Sequence, residues 1–129
     1  MNYERRWTMA ENVVRDKSKA FAIRIVKLFQ YLTSRKQEYI LSKQLVRSGT
    51  SIGANVKEAI RGQSKADFAA KMNIALKEAS ESEYWIELLH ETGYLTDREF
   101  NDIIADCVEL IKLLTSIVKT SRKGVIRNS

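Results

Sequence analysis

Residues 96–118 read TDREFNDIIADCVELIKLLTSIV. The opening Thr96-Asp97-Arg98-Glu99 is a capping box, in which a threonine hydroxyl and a glutamate three positions later each satisfy a backbone N–H left unpaired at a helix start. Behind it Phe100, Ile103, Ile104, Cys107, Leu110, Ile111, Leu114, Ile117 and Val118 recur at helical spacing and make one wide apolar face. A face of that width must be covered by other helices, so the stretch predicts an all-α packing arrangement rather than a mixed one.

Working back from this helix, Gly93 suits a left-handed C-terminal cap and closes a third helix expected from Ser64-Lys65-Ala66-Asp67 to about Thr92. Phe68, Met72, Ala75, Ala79 and Ile86 mark its main stripe. A second helix is expected over about Ile40 to Arg61, with Leu45, Gly49, Ile52, Val56, Ala59 and Ile60 facing inward and Gly62 ending it. The first is expected over about Asp16 to Thr33, with Phe21, Ile25, Leu28 and Leu32 on one stripe. Four helices of similar length with short connections predict an antiparallel up-down-up-down four-helix bundle. It forms a single domain over residues 1–129 with a core of about 16–120, the N-terminal arm 1–15 and the C-terminal tail 121–129 being loosely ordered.

Composition agrees with that reading. The 129 residues contain no proline and five glycines, too few turn formers for a sandwich or barrel. A single cysteine excludes an internal disulfide framework and makes a reducing cytoplasm the expected location. No apolar run approaches the roughly 18 residues of a membrane span, and residues 1–16 lack the apolar segment of a signal peptide.

Charge is unevenly spread. Residues 1–65 carry fourteen basic and five acidic side chains, whereas residues 66–99 carry three and eight. A basic first half on a small helical protein points to a polyanion or an acidic partner surface. On the second helix Lys43, Arg47, Lys57 and Arg61 fall within an arc of about 80°, opposite the core stripe, with the small Thr50 and Ala54 between them. Long cations separated by small residues suit close approach of a phosphate backbone, although plain solvation also produces such a face. Glu83, Glu87 and Glu91 form an acidic ladder on the third helix, which either meets cations of a neighbour or is simply solvated.

Two helices carry more apolar surface than one bundle covers. Ala70, Ile74, Trp85 and Leu88 lie far round the third helix from Phe68, and Ile23 and Val26 lie off the main stripe of the first. These residues are expected to form an interface in a homo-oligomer, the alternative being cover by loops or the N-terminal arm.

Enzymatic constellations are missing. Glu87-Leu88-Leu89-His90 fits one half of a di-iron bundle motif, but two such motifs are needed and His90 is the sole histidine. No Ser-His-Asp or Cys-His arrangement has support, and Cys107 sits in an apolar stripe. Gly49-x-x-x-Gly53 lacks the lysine-serine ending of a phosphate loop, and its glycines instead allow close helix packing. Asn55 is expected to hydrogen-bond across an interface. The chain is therefore expected to be a non-enzyme without cofactor or metal.

The run Gln44-Leu45-Val46-Arg47-Ser48-Gly49-Thr50-Ser51-Ile52-Gly53-Ala54-Asn55-Val56-Lys57-Glu58-Ala59 resembles the signature of the 23S rRNA intervening-sequence proteins, the bacterial four helix bundle protein family. Lys65-Ala66-Asp67-Phe68, Ile74-Ala75-Leu76-Lys77-Glu78-Ala79 and Glu91-Thr92-Gly93-Tyr94-Leu95 match its pattern in order, so the resemblance spans roughly Lys17 to Lys119. Gly53, Lys57 and Ala59 depart from it, standing where the family pattern has proline, alanine and glycine. The resemblance implies a four-helix bundle assembled as a ring-shaped homopentamer. The family also includes accessory proteins of diversity-generating retroelements, which implies nucleic acid, RNA or DNA, and a reverse transcriptase as partners. The alternative function is a scaffold that docks an acidic protein without touching nucleic acid.

Overall fold

A computed structural model describes residues 8–127, with side chains described as far as Gly124. Four helices follow in order: α1 (Met9–Ser34), α2 (Leu41–Ile60), α3 (Lys65–Glu91) and α4 (Asp97–Arg127). Each packs on its neighbours in a closed circuit, α1 on α2, α2 on α3, α3 on α4 and α4 back on α1, and among the described residues no diagonal pair of helices brings its backbones together. Cross-helix neighbours run in opposite directions along each of the four seams. Between α1 and α2, Gly49 lies against Ile25 and Gly53 against Ser18. Between α3 and α4, Asn73 meets Arg122 near the end of α4 while His90 meets Asp97 at its start. Lys17 meets Glu109 while Arg24 meets Asp102 and Asp106, and Arg47 meets Glu78 while Glu58 meets Lys71. The bundle is therefore antiparallel throughout.

The four stripes close on one core. Phe21, Ile25 and Leu32 of α1, Leu45, Ile52 and Val56 of α2, Met72, Ile86 and Leu89 of α3 and Leu110 and Leu114 of α4 are all buried. Gly49 and Gly53 let α2 approach α1 closely. A Cβ on Gly49 would stand 2.8 Å from Ile25 Cγ2, and one on Gly53 would stand 3.4 Å from the Ser18 carbonyl oxygen. Because Ile25 is β-branched and stiff, alanine at position 49 would force the two helices apart.

Helix starts follow their caps. Ser64 Oγ accepts from the Asp67 N–H at 3.0 Å, and Thr96 and Glu99 form the expected reciprocal box at 3.1 and 2.8 Å. Gly93 takes φ +86° after α3. Helix α1 corrects the expected boundary: it begins at Met9, seven residues before Asp16, because Thr8 and Glu11 make another capping box at 3.1 and 2.6 Å. Thus residues 9–15 of the expected arm are helical, and residues 1–7 lie outside the described ones. Helix α4 likewise continues through the expected tail to Arg127, with residues 128–129 outside the description.

Helix α2 starts differently. Its N-cap residue, Ile40, offers no side-chain acceptor, and the buried carboxylate of Glu38 takes that role. Glu38 accepts from the backbone N–H groups of Ile40, Leu41 and Ser42 at 3.1, 3.0 and 2.6 Å, while Ser42 Oγ donates to the Glu38 carbonyl at 2.7 Å. The preceding Gln37 adopts φ +54° to turn the chain. Burial of Glu38 raises its pKa, but the hydrogen bonds from Ser42, Leu41 and Ile40 outweigh that and hold the carboxyl below its ordinary value.

Candidate functional site

Helices α1 and α2 are held close by glycine contacts, so the outer surface between them is a groove with a low floor. Its cavity is about 540 Å³. Ala22, Thr50, Gly53 and Ala54 keep the floor shallow in side chain, and Ile60 adds one apolar wall. Arg15 and Lys19 of α1 face Lys57 and Arg61 of α2 across it, with Asp16 as the carboxylate among four cations. Arg15 Nε lies 3.1 Å from Asp16 Oδ1. Lys19, Lys57 and Arg61 form no ion pair among the described residues. Uncompensated cations along a concave surface focus a positive potential into it.

The four α2 cations expected to act together are divided by what flanks the helix. Lys57 and Arg61 turn to the α1 side and line the groove. Arg47 turns to the α3 side, where its guanidinium bridges Glu78 at 3.1 Å and also Glu81. Lys43 is exposed, forms no ion pair among the described residues, and lies about 21 Å along the helix from Lys57, outside the groove. Arg15 and Lys19 enter the site from a segment where the sequence offered no constellation.

The Arg47 network extends to Trp85, whose Nε1–H donates to Glu81 Oε2 at 3.2 Å. Trp85 is half-buried and packs on the core, and it meets Tyr84 edge to face at 5.0 Å. Leu88 is also half-buried, whereas Ala70 and Ile74 are exposed, Ile74 by 40%. Ile23 and Val26 are exposed on the outer side of α1.

Other polar residues have local roles. Glu83, Glu87 and Glu91 make no ion pair among the described residues, so the cation that α3 attracts goes to Glu78 and Glu81 instead. Asn55 Nδ2 donates to the Ser51 carbonyl one turn back at 2.8 Å. His90 Nε2 lies 2.7 Å from Asp97 Oδ1, and the imidazole stacks on Phe100 with ring centres 4.1 Å apart. Cys107 is fully buried, its Sγ–H 3.4 Å (Sγ to O) from the Ala79 carbonyl. Burial first, then the nearby charges of Glu83, Glu87 and Asp106, pushes its pKa up to about 12. Among the described residues no three His, Cys, Asp or Glu side chains gather as a metal set, and no helix is long and apolar enough to cross a membrane.

Comparison with known proteins bears on the same fold. A crystal structure described as a protein with unknown function from the S23 ribosomal protein family, from Bacteroides thetaiotaomicron VPI-5482, matches with a TM-score of 0.84 and 55% identity. The match covers 86% of this chain and 99% of that one. A search of curated proteins finds no match. The family model for the 23S rRNA-intervening sequence protein matches residues 10–116, which takes in α1, α2, α3 and most of α4. The chain therefore belongs to the 23S rRNA-intervening sequence protein family.

Proposed function

We propose that the protein is a non-enzymatic homo-oligomer of the cytoplasm that binds nucleic acid through phosphate contacts. The observation that carries this reading is the convergence of Arg15, Lys19, Lys57 and Arg61 on one groove, three of them without a carboxylate partner among the described residues. Phosphate contacts of this kind position a backbone without reading bases, so binding is tolerant of sequence. Lys43 extends the basic surface along α2, whereas the charge of Arg47 is neutralised by Glu78 and Glu81 on the α3 side.

Exposed Ile23, Val26, Ala70 and Ile74 support self-association, and the family resemblance supports a ring of five, for which light scattering should report about five times 14.8 kDa. The same resemblance supports a role as accessory to a reverse transcriptase. The direct test is binding of fluorescent nucleic acid at several salt concentrations. Affinity that falls linearly on a log–log plot, and is lost in Lys57→Glu/Arg61→Glu, is the expected result. If the protein binds no nucleic acid at low salt, the groove instead serves to dock an acidic protein partner.

A further inference from the structure

The α1–α2 groove also has a shape, and the shape discriminates between polyanions. Resting on the nucleic-acid reading above, we propose that it takes a single strand, laid lengthwise between the two rows of cations, and not a duplex.

The argument begins with width. Adjacent helices pack with axes about 8–10 Å apart, and Gly49 and Gly53 leave no space for a side chain between α1 and α2 where they meet Ile25 and Ser18. The depression between two such ridges admits one backbone. A duplex, about as wide as the two ridges together, does not enter the depression and rests on the rim, where it meets the outermost charges only. The cavity of about 540 Å³ is of the size that encloses a small ligand or a short segment of chain.

Spacing points the same way. Arg15 and Lys19 stand one turn apart on one wall, and Lys57 and Arg61 one turn apart on the other, about 6 Å in each case. A strand in the groove thus meets a cation from each wall at successive phosphates. The floor of Ala22, Gly53 and Ala54 leaves room for sugars. Among the described residues no aromatic ring lines the groove, so the contacts they offer a strand are to its backbone.

The experiment uses the full-length protein and two probes, an unstructured oligothymidylate of about twelve nucleotides and a blunt duplex of the same length. The single strand should bind about tenfold more tightly, with a log–log salt slope near −2.8 if four phosphates are engaged at about −0.7 each. Ala54→Leu narrows the groove without changing charge at an exposed helical position and should weaken the single strand while sparing the duplex. Circular dichroism and light scattering on that variant establish that the fold and assembly are intact. Equal or tighter binding of the duplex, both probes being lost in Lys57→Glu/Arg61→Glu, would overturn the single-strand assignment and leave the nucleic-acid reading standing. Binding of neither probe overturns both.

Discussion

Ser48 of α2 and Ser82 of α3 face each other in the interior of the bundle with their hydroxyl oxygens 2.9 Å apart. Both are fully shielded from solvent. Ser82 Oγ also donates to the Glu78 carbonyl at 2.8 Å, and Ser48 Oγ lies 3.3 Å from the Leu45 carbonyl. Each hydroxyl thus keeps a local acceptor when its partner is removed. Alanine at either position should cost about 1 kcal/mol, and the double variant less than the sum of the two. Urea unfolding of the four proteins in the cycle measures the coupling.

Arg47 and Arg61 should separate in their effects although both are exposed cations, one within α2 and the other at its C-cap. Arg47→Ala removes the bridge to Glu78 and Glu81, half-exposed on the arginine side, and should cost about 0.5–1 kcal/mol of stability with little change in the salt slope. Arg61→Ala breaks no ion pair among the described residues and should leave stability unchanged while reducing the single-strand slope by about 0.7. Thermal melts and titrations on the same preparations distinguish the two residues.

Glu38 couples the start of α2 to pH. Its carboxyl is held below the ordinary value in the folded chain, so ionised Glu38 contributes stability that is fully present above the unfolded pKa of about 4.5. That contribution is lost as pH falls through the lower folded value. Glu38→Gln should therefore cost about 1–2 kcal/mol at neutral pH, and the gap between variant and parent should shrink on acidification. Paired melting curves from pH 7 downward check the sign; a gap that widens in acid contradicts the capping role.

Ile74 and Trp85 were expected at one interface, and their surroundings within the single chain differ. Ile74 is 40% exposed, whereas Trp85 packs on the core and donates to Glu81. Ile74→Glu should lower the mass seen by light scattering while leaving the melting temperature of the fold nearly unchanged. Trp85→Glu should lower the melting temperature as well, because a charge replaces a half-buried ring.

What could be read from sequence follows from which forces are local. The Thr96–Glu99 box, Ser64 and Gly93 are local signals, and they set both ends of α3 and the start of α4 within a residue or two. Thr8 and Glu11 form the same kind of box, but the turn behind them has an exposed Met9 and one deeply buried aliphatic, Val14, so periodicity there is faint. Glu38 carries no such signal because it caps from two residues before Ile40, through a backbone bend at Gln37 that spacing rules do not encode. For the groove, a helical wheel gives directions but not neighbours. Arg47 and Lys57 lie at opposite edges of one arc, and only packing decides that one edge meets α3 carboxylates and the other meets Arg15 and Lys19.

The sealed thiol of Cys107 makes the chain its own clock. With its proton held to about pH 12 and its sulfur facing the Ala79 carbonyl, it offers a reagent no thiolate while α3 and α4 stay together. Labelling therefore waits on separation of those two helices. At saturating reagent the labelling rate becomes the rate at which the bundle opens, read from one natural atom with no probe introduced.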